Sequence, residues 1–299
     1  MKRILCLSGG GVRGVAQLQV LKKLEEDYGK PLHEVYDLII GTSVGAINAS
    51  LISTGKITMK YLDEQYDSMI HRIFKKRGWF RTPKYDRDNF IDVWREVIGY
   101  YQYGKAKTKL MVTTVDLVTD TNIFYKSWHD EFVNKLHQMP HIVERSFAAP
   151  VYFGQIVDRQ NKRVYSDGGI GNANLPLNEA KLQAEAFGWY NDGEEVEIHA
   201  IGTLYDDSHP SFNSVANGRW IKQVFDYLSI KQGGLARAQS RDDQIRMMEY
   251  ICKHNSSIKF KYWDASCENK YLILDGVKYI SKYRQLGEEM AKSPLIEFN

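Results

Sequence analysis

The chain has 299 residues, 43% of them apolar, and 40 basic against 37 acidic side chains give a formal charge of +3. That much apolar composition fills a sizeable core, which excludes a disordered chain, and the small net charge lacks the overall field of a dedicated nucleic-acid binder. Twenty-three glycines and seven prolines without a fixed-period repeat exclude collagen-like and solenoid architectures, and three cysteines, Cys6, Cys252 and Cys267, form no CxxC pair and fit a reducing compartment.

Met1-Lys2-Arg3 and the apolar run after it pass straight into glycines, without the longer apolar region and cleavage site of a secretory signal, so a cytoplasmic chain is expected. The longest uncharged stretch, residues 38–52, includes Gly, Thr, Ser and Asn and falls short of the roughly twenty residues that cross a bilayer. Residues 3–7 read as a strand buried on both faces and end in Ser8-Gly9-Gly10-Gly11-Val12-Arg13-Gly14. Val15, Leu18, Leu21 and Leu24 then recur at helical spacing until Gly29 and Pro31. A second strand over 38–40, a tight turn over 41–45 and a small-residue helix over 44–53 repeat the unit. Two successive strand-turn-helix units predict a parallel sheet with helices on its faces.

Further strands are expected over 110–117 and 122–125, a helix over 130–139 stopped by Pro140, a hairpin over 156–165, and a buried strand over 196–201. The polar stretch 206–218 reads as a loop, followed by helical patterns at 220–230 and 239–251, a strand at 258–263 and a final helix near 279–291. The expected division is a core over 1–205 and a mostly helical part over 206–299, packed on or extending that core.

Gly9, Gly11 and Gly14 satisfy G-x-G-x-x-G between a strand and a helix, the dinucleotide fingerprint. The acidic residue that should end the second strand is missing, since Asp37 precedes it and Gly41-Thr42-Ser43 ends it. No Lys-Ser or Lys-Thr makes a P-loop. Consecutive glycines have another use, because without Cβ atoms the backbone can turn its N–H groups to one point at a helix N-terminus and hold a developing oxyanion. Gly41-Thr42-Ser43-Val44-Gly45 matches G-x-S-x-G between strand and helix, which favours Ser43 as a nucleophile over a packing turn. The histidines fall in a predicted strand, a helical stretch or polar surroundings, and none suits the base of a triad. No Cys/His spacing points to zinc, and no metal or cofactor is expected. Asp167, where a strand ends before Gly168 and Gly169, is the remaining candidate base, although D-G-G alone is an ordinary turn.

These blocks together resemble the patatin-like phospholipase family, whose pattern runs G-G-G-x-R/K-G, G-x-S-x-G, S-x-x-x-P and D-G-A/G. Here they stand, in order, at Gly9 to Gly14, Gly41 to Gly45, Ser146 to Pro150 and Asp167 to Gly169. The resemblance implies a three-layer α/β/α fold with a mostly parallel central sheet. It implies a phospholipase A type lipid acyl hydrolase with a Ser43–Asp167 dyad and an acyl-serine intermediate, the Gly10 and Gly11 amides as oxyanion hole, and Arg13 steadying their loop. A thioesterase or soluble-ester hydrolase with the same dyad is the alternative, and a non-catalytic lipid- or nucleotide-binding protein the rival from another class.

A lipid hydrolase must reach a membrane surface. Lys75, Lys76, Arg77, Trp79, Phe80 and Arg81 set basic groups beside aromatic rings, the composition of a lid or membrane-docking patch for anionic headgroups. The expected partners are membrane phospholipid and no nucleic-acid polymer; a small-molecule or protein activator and a homo-oligomer stay open.

Overall fold

Ile4 and Cys6 face one side of the first strand and Leu5 and Leu7 the other, and all four are fully buried. A strand that is apolar on both faces stays out of water only when helices cover both, and that requirement sets the architecture. A computed structural model describes residues 1–78, 82–133, 135–171, 173–190, 193–206 and 234–299. Strand β1 (Lys2–Leu7) leads into helix α1 (Gly14–Tyr28), which Gly29 closes in the left-handed conformation at φ 63°. A single turn α2 (Leu32–Val35), strand β2 (Leu38–Gly41) and helix α3 (Val44–Thr54) follow.

Helices α4 (Met59–Ile73) and α5 (Asp88–Val97) precede β3 (Lys109–Asp116) and β4 (Thr121–Lys126). A single turn α6 (Asp130–Val133), helix α7 (Met139–Ser146), and the hairpin β5 (Ile156–Asp158) and β6 (Arg163–Asp167) come next. The described chain closes with α8 (Leu177–Ala186), β7 (Val196–Ile201), α9 (Gly234–His254), β8 (Ile258–Trp263), α10 (Ile280–Met290) and β9 (Ile296–Phe298).

Strands β2, β1, β7 and β8 lie side by side and parallel, with β3 parallel to β2, while β4, β5, β6 and β9 pair antiparallel. One apolar cluster joins Leu5, Leu7 and Ile39 to α1, α4, α5, α7 and α10, and the other joins Ile4, Cys6, Leu38 and Ile40 to α8 and α9. The result is three layers, helix on sheet on helix. Each fully buried Leu or Ile in these clusters contributes roughly 1.5–3 kcal/mol.

The helix expected over 130–139 with Pro140 as its stop needs correction. Among the described residues there the helix is the single turn Asp130–Val133, and Met139 and Pro140 instead open the first turn of α7. A proline tolerates that place because its missing N–H would have no intrahelical partner anyway. Helices α4, α5 and α8 and strand β9 were not expected; α4 shows a helical stripe in Leu62, Tyr66, Met69, Ile70 and Ile73. Of the loop expected over 206–218 only Asp206 is described, and the helical pattern at 220–230 lies outside the described residues. Among the described residues no helix is long and apolar enough to cross a membrane.

Candidate active site

Two strands that end head to head create the site. β4 takes one edge of β3 from Met111 to Asp116, so β2, paired to β3 as far as Val112, and β6, paired from Asp116 back to Thr114, must share the other. β2 runs parallel to β3 and β6 antiparallel, so Gly41 and Asp167 approach each other across Thr113. Thr42 Oγ1 lies 2.7 Å from Thr113 Oγ1 and donates to the Ala173 carbonyl at 2.5 Å. A Cβ on Gly168 would stand 2.3 Å from Thr113 Oγ1, so only glycine lets the chain leave β6 this close to β3.

Ser43, between β2 and α3, adopts φ 54° and ψ −123°, a conformation that carries backbone strain for a residue with a side chain. Its N–H donates to Ser146 Oγ at 2.8 Å, and its carbonyl accepts from the N–H groups of Ala46 and Ile47 at 2.9 and 3.2 Å. A Cβ on Gly41 would stand 2.4 Å from the Gly45 carbonyl oxygen, and one on Gly45 2.3 Å from that of Leu7. The G-x-S-x-G spacing is thus a packing requirement of the turn.

Ser43 Oγ donates to Asp167 Oδ2 at 2.9 Å, while Asp167 Oδ1 accepts the Gly169 N–H at 2.7 Å. The second bond fixes the carboxylate plane, so the first oxygen faces the serine. Both residues are buried, Ser43 at 8% and Asp167 at 7% exposure, which strengthens a hydrogen bond by removing competing water.

The glycine loop follows β1. The Gly9 N–H donates to the Asn174 carbonyl at 3.3 Å and the Val12 N–H to the Leu274 carbonyl at 2.8 Å. Gly11 is left-handed at φ 60°, and a Cβ there would stand 2.1 Å from the Leu274 carbonyl oxygen. Arg13 is buried, with Nε donating to the Gly10 carbonyl at 3.1 Å and Nη1 to the Leu204 carbonyl at 3.3 Å. A Cβ on Gly14 would stand 2.3 Å from Val44 Cγ2, so residue 14 must be small for α1 to pass beside α3.

Gly9, Gly10, Gly11, Ser43, Val44 and Asp167 line one cleft with about 850 Å³ of free space, part of it open to solvent. Its walls are apolar, with Met69, Ile70 and Ile73 of α4 facing Phe147, Tyr152 and Phe153. No histidine is among the lining residues. Val12, Arg13, Gly14, Gly41, Thr42, Gly45, Gly168 and Gly169 stand behind the cleft and shape it. Among the described residues no group of three His, Cys, Asp or Glu side chains could hold a metal ion.

His199, buried in β7, is engaged elsewhere: the Tyr36 hydroxyl lies 2.8 Å from Nδ1, and Nε2 stands 3.2 Å from Glu197 Oε1. Burial lowers its pKa from the ordinary value. The imidazole beside it, then Arg3 and Lys261, hold the Glu197 carboxyl down to about 2.

Lys75, Lys76 and Arg77 are exposed just past α4, next to Phe74, which lines the cleft. Trp79, Phe80 and Arg81 lie outside the described residues. Much of the charge that surrounds this segment has acidic partners: Arg72 pairs with Glu96 at 2.6 Å, Arg77 with Asp86 at 3.7 Å, Lys84 with Asp275 at 3.2 Å and Arg87 with Glu144 at 3.6 Å.

Four residues that complete the site have no role predicted from the sequence: Ser146, Thr113, Asn174 and Leu274. Ser146 carries a signal in the S-x-x-x-P block; the other three are single residues in ordinary strand or loop composition, with no local mark.

The chain is similar to a cGAMP-activated phospholipase of Pseudomonas aeruginosa, at 33% identity over 213 residues that make up 67% of this chain and 62% of that protein. It also resembles the calcium-independent phospholipase A2-gamma of Homo sapiens, at 23% identity over 97% of this chain and 39% of the relative. The chain thus spans less than two thirds of the length of these relatives. Among solved structures, VipD from Legionella pneumophila superposes with a TM-score of 0.50 at 12% identity, covering 95% of this chain and 66% of that one, a likeness of fold. The model of the family described as patatin-like phospholipase matches residues 5–181, from within β1 into α8, a stretch that holds every polar residue lining the cleft. The chain therefore belongs to the patatin-like phospholipase family.

Proposed function

We propose that this protein is a phospholipase A type serine lipid acyl hydrolase in which Ser43 and Asp167 act as a dyad on membrane phospholipid. The observation that carries the reading is the 2.9 Å hydrogen bond from Ser43 Oγ to Asp167 Oδ2 at the floor of an apolar cleft beside the glycine loop. The acyl chain lies along the wall of Met69, Ile70, Ile73 and Phe153. Ser43 Oγ attacks the ester carbonyl carbon as its proton passes to Asp167, and the Gly10 and Gly11 amides receive the oxyanion. Collapse breaks the bond to the alcohol oxygen, which leaves with the proton from Asp167. Water then attacks the acyl-serine, giving its proton to Asp167, and the fatty acid departs as Ser43 Oγ is reprotonated.

In this reading residues 1–205 carry the chemistry and 206–299 extend the sheet. The exposed Lys75, Lys76 and Arg77 dock on anionic headgroups next to the cleft. The name of the Pseudomonas relative supports extending a small-molecule activator to this chain as part of the proposal.

The test is fatty-acid release from mixed phospholipid vesicles by the wild type, Ser43→Ala and Asp167→Asn, with and without a cyclic dinucleotide, alongside fluorophosphonate labelling. Release and labelling by the wild type, both lost in Ser43→Ala, with turnover lost in Asp167→Asn, is the expected result. Cleavage of acyl-CoA but not of phospholipid would make the protein a thioesterase, and absence of labelling under every condition would remove the enzyme reading.

A further inference from the structure

A trans peptide group is planar, so its carbonyl and the following N–H point to opposite sides. Whatever binds the Gly9 carbonyl therefore aims the Gly10 N–H, and whatever binds the Gly10 carbonyl aims the Gly11 N–H. Arg13 Nε performs the second task at 3.1 Å. The first falls to Thr203, whose Oγ1 donates to the Gly9 carbonyl at 2.7 Å. Thr203 is buried, follows β7, and lies beyond residues 5–181 and beyond every motif block.

The contact is built from both sides. A Cβ on Gly10 would stand 2.1 Å from Thr203 Oγ1, so the hydroxyl reaches the loop only because residue 10 has no side chain. Thr203 is itself held in place. Its neighbour Leu204 is left-handed at φ 71°, a strained state for leucine, with its N–H donating to Asp264 Oδ1 at 2.8 Å and its carbonyl accepting from Arg13 Nη1 at 3.3 Å. Asp264 also accepts from the Tyr262 hydroxyl and, at 3.0 Å, from the Ala265 N–H. A Cβ on Gly202 would stand 2.1 Å from Asp264 Oδ2, so that glycine admits the carboxylate. A second, later part of the chain thus closes on the glycine loop.

We infer that Thr203 is a positioning residue that sets the direction of the Gly10 amide for the oxyanion, an inference that rests on the hydrolase reading above. Thr203→Val removes the donor at nearly constant shape, and Thr203→Ser keeps it. With a p-nitrophenyl fatty acyl ester and the full chain, Thr203→Val should lower kcat about ten- to hundredfold and leave KM within about threefold. That is less than the 10²–10³ lost with a whole oxyanion donor, because the amide is turned rather than removed. Thr203→Ser should stay within about threefold of the wild type. A fatty acyl trifluoromethyl ketone, whose adduct with Ser43 bears the oxyanion, should lose affinity in Thr203→Val by the factor seen in kcat, while the fatty-acid product binds unchanged. Near-UV circular dichroism checks the fold, and should Thr203→Val not fold, Thr203→Cys, a weaker donor, should give an intermediate rate.

A purely structural Thr203 would weaken ketone and fatty acid alike, or lower Tm with kcat unchanged. Either result, or a Thr203→Ser as slow as Thr203→Val, overturns the inference and leaves the hydrolase reading standing. A wild type that neither cleaves the ester nor forms a ketone adduct abolished by Ser43→Ala overturns both.

Discussion

Replacing Ser146 by alanine should loosen the turn that carries Ser43. Ser146 is fully buried and its Oγ accepts the Ser43 N–H at 2.8 Å, so the substitution leaves a buried donor without its acceptor. Such a group costs about 1–3 kcal/mol. The left-handed φ of 54° at Ser43 stores strain on the order of 1–3 kcal/mol, and the lost bond is one of the few holding it. The remaining hydrogen bonds to the Ser43 backbone, from Ala46 and Ile47 to its carbonyl, sit on the α3 side alone. A loss of about 2 kcal/mol is therefore expected, a substantial part of the 5–15 kcal/mol of a typical domain. Relaxation of the turn also moves Ser43 Oγ from Asp167, so the rate of fluorophosphonate labelling should fall about tenfold or more. Urea midpoints report the stability and a stopped time course the labelling. If Ser146→Ala keeps both the midpoint and a labelling rate within twofold, this account of the turn is wrong.

Gly11→Ala and Gly29→Ala separate two uses of a left-handed glycine. Both positions have positive φ, but a Cβ at Gly11 would stand 2.1 Å from a backbone oxygen while one at Gly29 meets nothing within 4 Å. Gly29→Ala should cost about 1 kcal/mol and leave turnover intact, whereas Gly11→Ala should abolish turnover, so equal activity in the two would refute the contact with Leu274. Acid stability should depend on Glu197, whose carboxyl is held down to about 2 by the imidazole of His199 beside it, then by Arg3 and Lys261, from an ordinary 4.5. A lowered carboxyl stabilises fully above its unfolded value and loses that contribution, on the order of 3 kcal/mol, as pH falls through the folded one. His199, lowered by burial, adds a loss in the same direction that begins below its ordinary 6.5. Glu197→Gln should be less stable at neutral pH and flatter on acidification below about pH 4.5, which urea midpoints would decide. Reversing Lys75, Lys76 and Arg77 to glutamate should weaken cosedimentation with anionic vesicles and leave neutral vesicles unaffected; unchanged binding would end the docking role.

Much of the architecture around the site is written locally. β1 and the helix after it follow from an apolar run, three glycines and a leucine repeat, and β2, the serine turn and α3 follow from the same grammar. These choices are decided within a few residues, by side-chain size and backbone freedom, and so they survive without knowledge of the rest of the chain. Pro140 shows the limit. A proline excludes a helix interior but admits a first turn, and only the packing of Ile142 and Val143 against the core shows which holds here. Similarly, α4 repeats its apolar residues at helical spacing, yet nothing local says that Met69, Ile70 and Ile73 wall a cleft.

What the sequence by itself determined is the set of short motifs and their order, because each is a local steric demand: glycine where a Cβ would strike backbone, a small residue where helix meets strand, a serine on a sharp turn. What only the tertiary structure decided is which of them meet. Ser43 and Asp167 stand 124 positions apart, and their 2.9 Å contact arises because β2 and β6 end against each other on one edge of β3. Thr203 and Leu274 close on the glycine loop through a hydroxyl and a carbonyl that any residue of their kind could offer. Their partners are chosen by the path of the chain through the sheet, and long-range pairing of that kind leaves no mark in the residues beside it.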